Sequence, residues 1–328
     1  MYSTLQQIIA EGRDIATDEL NLSANRMAAH ELQVRLCDFG LLDPVINGDK
    51  DKPFGPVGKG DGMIGVNTHT ALLEFSRLAG LLPAERHLPV QLLQTLTSVE
   101  PATFLPVEFD AQTDDDLQTR IAKCVLRYMR RKNYWIARSP NMRNIVYLEG
   151  LNADGRLNDD AFNAWNDRRM VIRIRPGGKP EMLVNDQATT EPGQFYTWHP
   201  MNPNGAARIA FGQYKAWVDG LHRGKQPALV QRERIKVHRD LNKDGRRSKN
   251  DPIDIGKTFG INQHSTSPDG TPEFVNSFSA GCLVGRRYQW HLSFLDIVKQ
   301  DPRYLNNKGY LFISTVIPGD DMLSLEII

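Results

Sequence analysis

The second half of the chain sets the tightest limit on its fold. From about residue 144, "NIVYLEG", "RMVIRIR", "GQFYTW", "ARIAFGQY", "ALVQRERIKVHRD" and "GYLFISTVI" follow one another as short β-prone runs, separated by clusters of Gly, Pro, Asn and Asp. Such runs with turn residues between them predict a mostly antiparallel sheet or sandwich. One helix is expected among them, in "YQWHLSFLDIVKQD". The N-terminal third has a helical texture instead. Leu5, Ile8, Ile9 and Ile15 predict a helix within residues 1–20, and Met27, Leu32, Leu36 and Phe39 form one apolar stripe that stops at Gly40 and Pro44. A further helix is expected from Asn67, with Ala71, Leu72, Phe75 and Leu78 apolar, ending at Gly80. Residues 100–116 read as a linker, followed by a helix with Leu117, Ile121, Cys124, Val125 and Tyr128 on one face. Arg120, Lys123, Arg127, Arg130 and Arg131 lie on or beside the opposite, solvated face. The expected class is α+β and multidomain: a helical domain over 1–100, a linker and connecting helix over 101–143, and a β-rich domain over 144–328.

The chain of 328 residues has room for two or three domains. A net charge of +1 gives no global argument for nucleic acid as a partner, so any basic function must be local. Cys37, Cys124 and Cys282 are far apart and odd in number, which excludes a disulfide framework and offers no zinc-type CxxC pair. No apolar run predicts a membrane span, and the first twenty residues lack the pattern of a secretory signal. A substrate outside the cytoplasm would then require delivery by another route.

Two segments carry motifs. The first is "HELQVRLCDFGLL" followed by "GDGMIGVNTHTALLEFSRLAGL". Gly62 and Gly65 permit a tight turn, Thr68 is placed to cap the following helix, and Leu32, Leu36, Ala71 and Phe75 supply a shared core. Leu32, Gln33, Leu36, Gly40, Leu41, Asp61, Gly62, Gly65, Thr68, Ala71, Phe75, Gly80 and Leu81 fall on the pattern of the three-helix peptidoglycan-binding domain, which this stretch resembles over about sixty residues. The resemblance implies peptidoglycan as a partner, with Gln33, Asp61 and Thr68 as wall-binding positions. Two departures are Ser76, where the family usually has Gln, and a longer loop before Asp61.

The second is "INQHSTSPDGTPEFVNSFSAGCLVGRR", which places His264 ahead of Ser279, Ala280, Gly281 and Cys282. A cysteine is a useful nucleophile when a neighbouring base favours its thiolate, and acyl transfer also needs backbone N–H groups aimed at the developing oxyanion. Gly281 allows close backbone approach there, and the Cys282 amide is a candidate donor. Fourteen residues lie between His264 and Ser279, so that His264, Ser265, Ser279, Gly281 and Cys282 match the pattern of the L,D-transpeptidase catalytic domain, which this region resembles. "TTEPGQFYT" (Thr189 to Thr197) is similar to a strand-turn of the same family. The resemblance implies Cys282 as nucleophile and His264 as general base. Ser265 and Ser279 would orient the base or line the oxyanion region, and Arg286, His222 and Tyr214 would contact substrate. The family's usual His before Gly-Cys is Ala280 here, and its usual Arg or Asn two residues after the Cys is Val284.

The implied function is a cysteine enzyme that attacks stem-peptide amides of peptidoglycan through an acyl-enzyme. Transpeptidase, carboxypeptidase and endopeptidase outcomes all remain open, and no cofactor is implied. With no leader in view, a phage lysis or virion component, or an effector of a secretion machine, is expected. The alternative is a non-catalytic wall-binding structural protein, of phage tail or baseplate type, with a degenerate site. Cys37 and Cys124, on apolar helix faces, read as core. Asp240, Asn242, Asp244 and Gly245 begin like a calcium loop, but the twelfth position is Asp251 rather than Glu, so a polar turn is the expectation. His199, His238 and His291 show no metal-ligand spacing.

Overall fold

A computed structural model describes residues 3–82 and 85–324. The chain is α+β, and its β part closes on itself as an eight-stranded barrel. Eleven strands of this half are β1 (Asn144–Glu149), β2 (Asp167–Ile174), β3 (Pro180–Thr189), β4 (Ala206–Ile209), β5 (Gly212–His222), β6 (Gln226–Gln231), β7 (Ile235–Asp240), β8 (Ile253–Gly256), β9 (Gln263–Ser265), β10 (Leu283–Gly285) and β11 (Phe312–Pro318). The barrel runs β6-β9-β10-β3-β2-β1-β11-β5 and closes from β5 to β6, while β8-β7-β4 form a separate sheet. Two barrel pairs are parallel, β9 with β10 and β1 with β11. The sequence predicts most of these strands but not the short β8 and β10, nor β3, which pairs with β2 across a turn holding Gly177 and Gly178 at positive φ. "GQFYTW" is no strand. Gln194–Trp198 is a short helix just beyond Gly193.

Strand β1 shows why these runs read as continuously apolar. Side chains alternate between faces, and both faces are covered. Ile145 and Tyr147 join Val171, Tyr214, Trp217, Leu229 and Val316 inside, together with Phe294 and Val298 of the helix Tyr288–Val298. Val146 and Leu148 lie instead under a helix, Leu117–Arg131, through its Ile121, Val125, Leu126 and Met129. Asp116 caps that helix by accepting the Thr119 N–H at 2.8 Å. Its two faces differ from the sequence expectation at two positions. Leu117 is 50 % exposed, whereas Lys123 is buried and ion-paired with Asp115 at 2.8 Å and Glu108 at 2.9 Å.

In the N-terminal part the four longer helices are α1 (Ser3–Ala10), α2 (Arg26–Asp38), α3 (Val66–Ala79) and α4 (Val90–Ser98), packed around Leu5, Leu32, Leu36, Leu72, Phe75 and Leu93. The first helix stops at Ala10, and Ile15 belongs to a two-residue strand paired with Leu88. Met27 is 59 % exposed and outside the core stripe. Gly80 ends α3 in the left-handed region at φ 65. Gly40 (φ 69) follows α2, and a Cβ there would sit 2.6 Å from the Ile136 carbonyl oxygen, so only glycine lets α2 meet the segment entering the barrel.

A buried charge group ties the two parts together. Arg303 donates to Asp43 at 2.8 Å and to Asp301 at 2.6 Å, and Lys215 lies 3.1 Å from Asp43. Burial pushes the Asp43 carboxyl up, but Lys215 and Arg303 outweigh it and hold the group below its usual range. Replacing Arg303 with Met leaves two buried carboxylates short of their partner. Denaturant unfolding is expected to show a loss of about 3–5 kcal/mol, and a loss under 1 kcal/mol would mean the group is not a structural tie.

Candidate active site

Three-residue parallel pairing makes the site. Gln263, His264 and Ser265 of β9 lie opposite Leu283, Val284 and Gly285 of β10, so the loop between them returns Cys282 to the side of His264. Gln263 turns into the barrel, where it donates to Ser314 Oγ at 2.8 Å and accepts from Tyr147 OH at 3.3 Å. Alternation then sends His264 to the outer face. One ring nitrogen each of His222 and His264 and the Cys282 sulfur all lie within 4.8 Å of one another.

Each group has a defined hydrogen-bonding state. His264 Nδ1 lies 2.8 Å from the Ser265 carbonyl oxygen, which can only accept, so Nδ1 carries the proton and Nε2 the lone pair. That Nε2 is buried and has no hydrogen-bond partner. Burial, followed by the neighbouring His222, pushes His264 down to about 3. The Cys282 thiol faces Gly260 O at 3.4 Å and is 6 % exposed. Burial pushes it up to about 11, against the Asn262 backbone N–H and Arg223, which favour the thiolate. At neutral pH the pair is therefore thiol and neutral imidazole.

The turn before Cys282 is built by Ser279 and Gly281. Ser279 Oγ accepts the Gly281 N–H at 3.1 Å and donates to Cys282 O at 2.9 Å. Gly281 sits at φ 117, and a Cβ there would overlap the Ala207 carbonyl oxygen. Its glycine is thus required by packing against β4 rather than by room for a substrate. Ser265 Oγ accepts from Gln226 Nε2 at 2.9 Å and so holds the β6 edge. Val284 is fully buried in a small cluster with Trp165, Val275 and Cys282, where a charged residue would have no counter-charge.

The remaining sequence candidates divide. His222 stands beside the pair, its ring stacked on His264 at 3.9 Å with 14° between the planes. Arg286 is committed to the loop, donating to Pro272 O at 3.0 Å and Gln187 Oε1 at 2.9 Å. Tyr214 is no substrate contact: it is fully buried in the barrel against Phe54 and Trp217, with its hydroxyl donating to Ala210 O at 2.7 Å. Gln33 is a buried clamp. Its Nε2 donates to Asp61 Oδ1, Met63 O and Thr68 Oγ1, and its Oε1 accepts from the Asp61 and Gly62 amides. Thr68 consequently lies within α3 as Gln33's acceptor and does not cap it. Asp61 Oδ1 also accepts the Met63 N–H at 2.9 Å.

Asp240 turns its carboxylate to the Asp244 and Gly245 amides, Asn242 donates to Asp244, and Asp251 accepts from Ser248. This loop is a hydrogen-bonded polar turn. The stacked planes of His222 and His264 keep their in-plane lone pairs from converging on one ion beside Cys282. Glu149, Asp160 and Glu191 also lie close together, but the Arg208 guanidinium already sits among them. Sequence reasoning missed Asn262, which donates from Nδ2 to His222 Nδ1 at 2.9 Å and whose carbonyl oxygen accepts the Leu283 N–H at 3.0 Å. Nothing in its local sequence marks it.

No family model matches the chain, and no curated protein sequence matches it. Among the described residues, no helix is long and apolar enough to cross a membrane.

The raised thiol leads to a direct test. Cys282 is expected to alkylate slowly at pH 7 and faster as pH rises toward about 11, the reverse of an activated free thiolate. A rate plateau reached below pH 8, followed by mass spectrometry of the Cys282 peptide, would contradict the geometry.

Proposed function

We propose that the chain is a cysteine acyltransferase or peptidase acting on peptidoglycan stem-peptide amides, of the L,D-transpeptidase type. The observation that carries this reading is a buried His264 with an unpartnered Nε2, its Nδ1 anchored on the Ser265 carbonyl, and a ring nitrogen within 4.8 Å of the Cys282 sulfur. A base presented in one tautomer with its lone pair free is what a thiol nucleophile requires. In this reading the helical part, residues 1–100, serves as a wall-binding module, 101–143 connects it, and 144–328 is the catalytic domain. The place of action is the cell wall, and phage or secretion-machine proteins are the proposed carriers.

The proposed step balances as follows. Sγ–H gives its proton to His264 Nε2 as sulfur attacks the amide carbon, and the carbonyl π pair moves to oxygen. The Gly281 amide is engaged by Ser279 Oγ, which leaves the Cys282 amide as the donor assigned to that oxyanion. Collapse breaks the C–N bond, and His264 returns the proton to the departing amine. Water then yields a peptidase, and an amine acceptor yields a transpeptidase. Because the resting pair is neutral, proton transfer accompanies attack and no standing ion pair precedes it.

Two cavities flank the pair. One of about 400 Å³ opens on His264, Ser265, Phe278 and Tyr288, and another of about 510 Å³ on Cys282, Ala280, Tyr196 and Phe259. Both are of a size suited to peptide ligands. The competing reading, a non-catalytic wall-binding protein, draws on the deep burial of Cys282 and on Ala280.

Purified sacculi incubated with the protein decide between them. Loss of terminal D-residues, cleaved cross-links or new 3–3 links is expected in the muropeptide mass profile, absent with Cys282→Ala and reduced about 10²–10⁴-fold with His264→Ala. An unchanged profile with the protein still pelleting on sacculi would favour the structural role.

A further inference from the structure

His222 and His264 are stacked imidazoles held in opposite tautomers. Asn262 fixes the first. Its Oδ1 accepts the Gln231 N–H at 2.9 Å, which orients the amide and leaves Nδ2 to donate to His222 Nδ1 at 2.9 Å. An accepting Nδ1 places the His222 proton on Nε2. His264 is the reverse, with its proton on Nδ1 toward Ser265 O. Rings 3.9 Å apart and nearly parallel cannot both take a positive charge without strong repulsion. Their access to solvent differs as well: His222 is half-buried and lines both flanking cavities, whereas His264 is 4 % exposed.

We infer that His222 is a positioning residue for the base: its ring holds His264 in place by stacking, and its protonation from solvent switches His264 off in acid. The inference rests on the proposed role of His264 as the acceptor of the Cys282 proton. Once His222 is charged, a cation lies against the face of the His264 ring and the base can no longer take the thiol proton. Protonation also turns Nδ1 into a donor facing the Asn262 Nδ2 donor, so the bond that fixes His222 is lost in the same event.

Other charges around the pair do not change its order of protonation. Arg223, on the same hairpin, and Arg169 of β2 both disfavour charge on His264, and Arg223 does the same to His222. Lys225 lines the cavity over His264. His291, in the helix Tyr288–Val298, accepts from Arg169 through Nδ1 at 2.9 Å and faces Pro227 O through Nε2, so it is neutral and committed. Cys282 is uncharged below its raised value. No carboxylate is paired with either ring among the described residues, so acid loads the more exposed ring first.

Two substitutions separate this from a merely structural role because they act in opposite directions. His222→Phe keeps an aromatic plane on His264 but cannot titrate, so the acid limb of kcat/KM is expected to move down by at least about one pH unit. Asn262→Asp still accepts the Gln231 N–H but now prefers a protonated His222, so the limb is expected to move up. A limb that stays put in both folded variants, or moves the same way in both, overturns the inference. Long-range proton–nitrogen NMR of the imidazoles gives a readout that needs no turnover. His222 is expected as the Nε2–H form and His264 as the Nδ1–H form at pH 8, with His222 titrating first. Either tautomer reversed, or His264 titrating first, also overturns it. Silence of the wild-type protein on sacculi would instead count against the proposed reaction, while the NMR order still decides the histidine pair.

Discussion

The parallel ladder between β9 and β10 is the constraint on which the rest of the site depends. It is only three residues long, and parallel neighbours cannot be joined by a tight turn. The intervening chain must leave the barrel end and come back, and it returns through the Ser279 turn. Cys282 thus arrives beside His264 because both strands run the same way. The outward loop is held at several points: Thr266 N–H donates to Gly285 O, Val275 N–H to Asn163 O, Gly193 N–H to Ser279 O, and Arg286 reaches Pro272 O. A loop tied to three different segments keeps the turn in one place, which is the preorganisation a short nucleophile–base distance demands.

The same packing sets the chemistry against the simplest picture of a reactive cysteine. Desolvation disfavours thiolate and imidazolium together, since each would be a buried charge. Neither His264 nor Cys282 has an opposite charge in direct contact in the resting state. Two neutral partners cost little to bury, and charge develops only as sulfur attacks. Asn262 joins the two halves of this arrangement, because its backbone N–H faces the sulfur while its side chain orients His222.

Much of the secondary structure was legible because its causes are local. β-Prone runs broken by Gly and Asn mark strands, and Gly40 and Gly80 end helices by the left-handed backbone that only glycine adopts easily. Strand β3 escaped because Glu181, Asn185, Asp186 and Gln187 dilute its apolar signal. Barrel closure is a property of how edges meet and leaves no mark on any one segment. The Cys282–His264 pair was legible through the family pattern that its region resembles, and the roles of Gln33, Tyr214 and Lys123 were not. A glutamine that serves a loop from within, a tyrosine turned into a barrel and a lysine buried against two acids all look like surface residues in one dimension. The His222 stack was visible only as a lone histidine, because what gives it meaning is Asn262, forty residues away.

Behind the Cys282 turn lies a layer of buried charge that apolar residues would be expected to replace without loss of stability. Arg208 pairs with Glu149 and Glu191, Arg247 forks onto Glu149 at 2.7 and 3.0 Å, and Thr190 joins Glu149 to Asp167. What such a layer adds is direction, since a guanidinium fork donates to carboxylates only along fixed lines. The residues it fixes are neighbours of the site. Arg208 follows Ala207, whose carbonyl oxygen fills the space beside Gly281, and Glu191 lies two residues after Thr189, which pairs with Val284. The layer therefore holds the wall against which the nucleophile turn is pressed. Apolar side chains could match its volume but not its aim, and a shift of β4 by a fraction of its width would move the Gly281 turn and the sulfur with it.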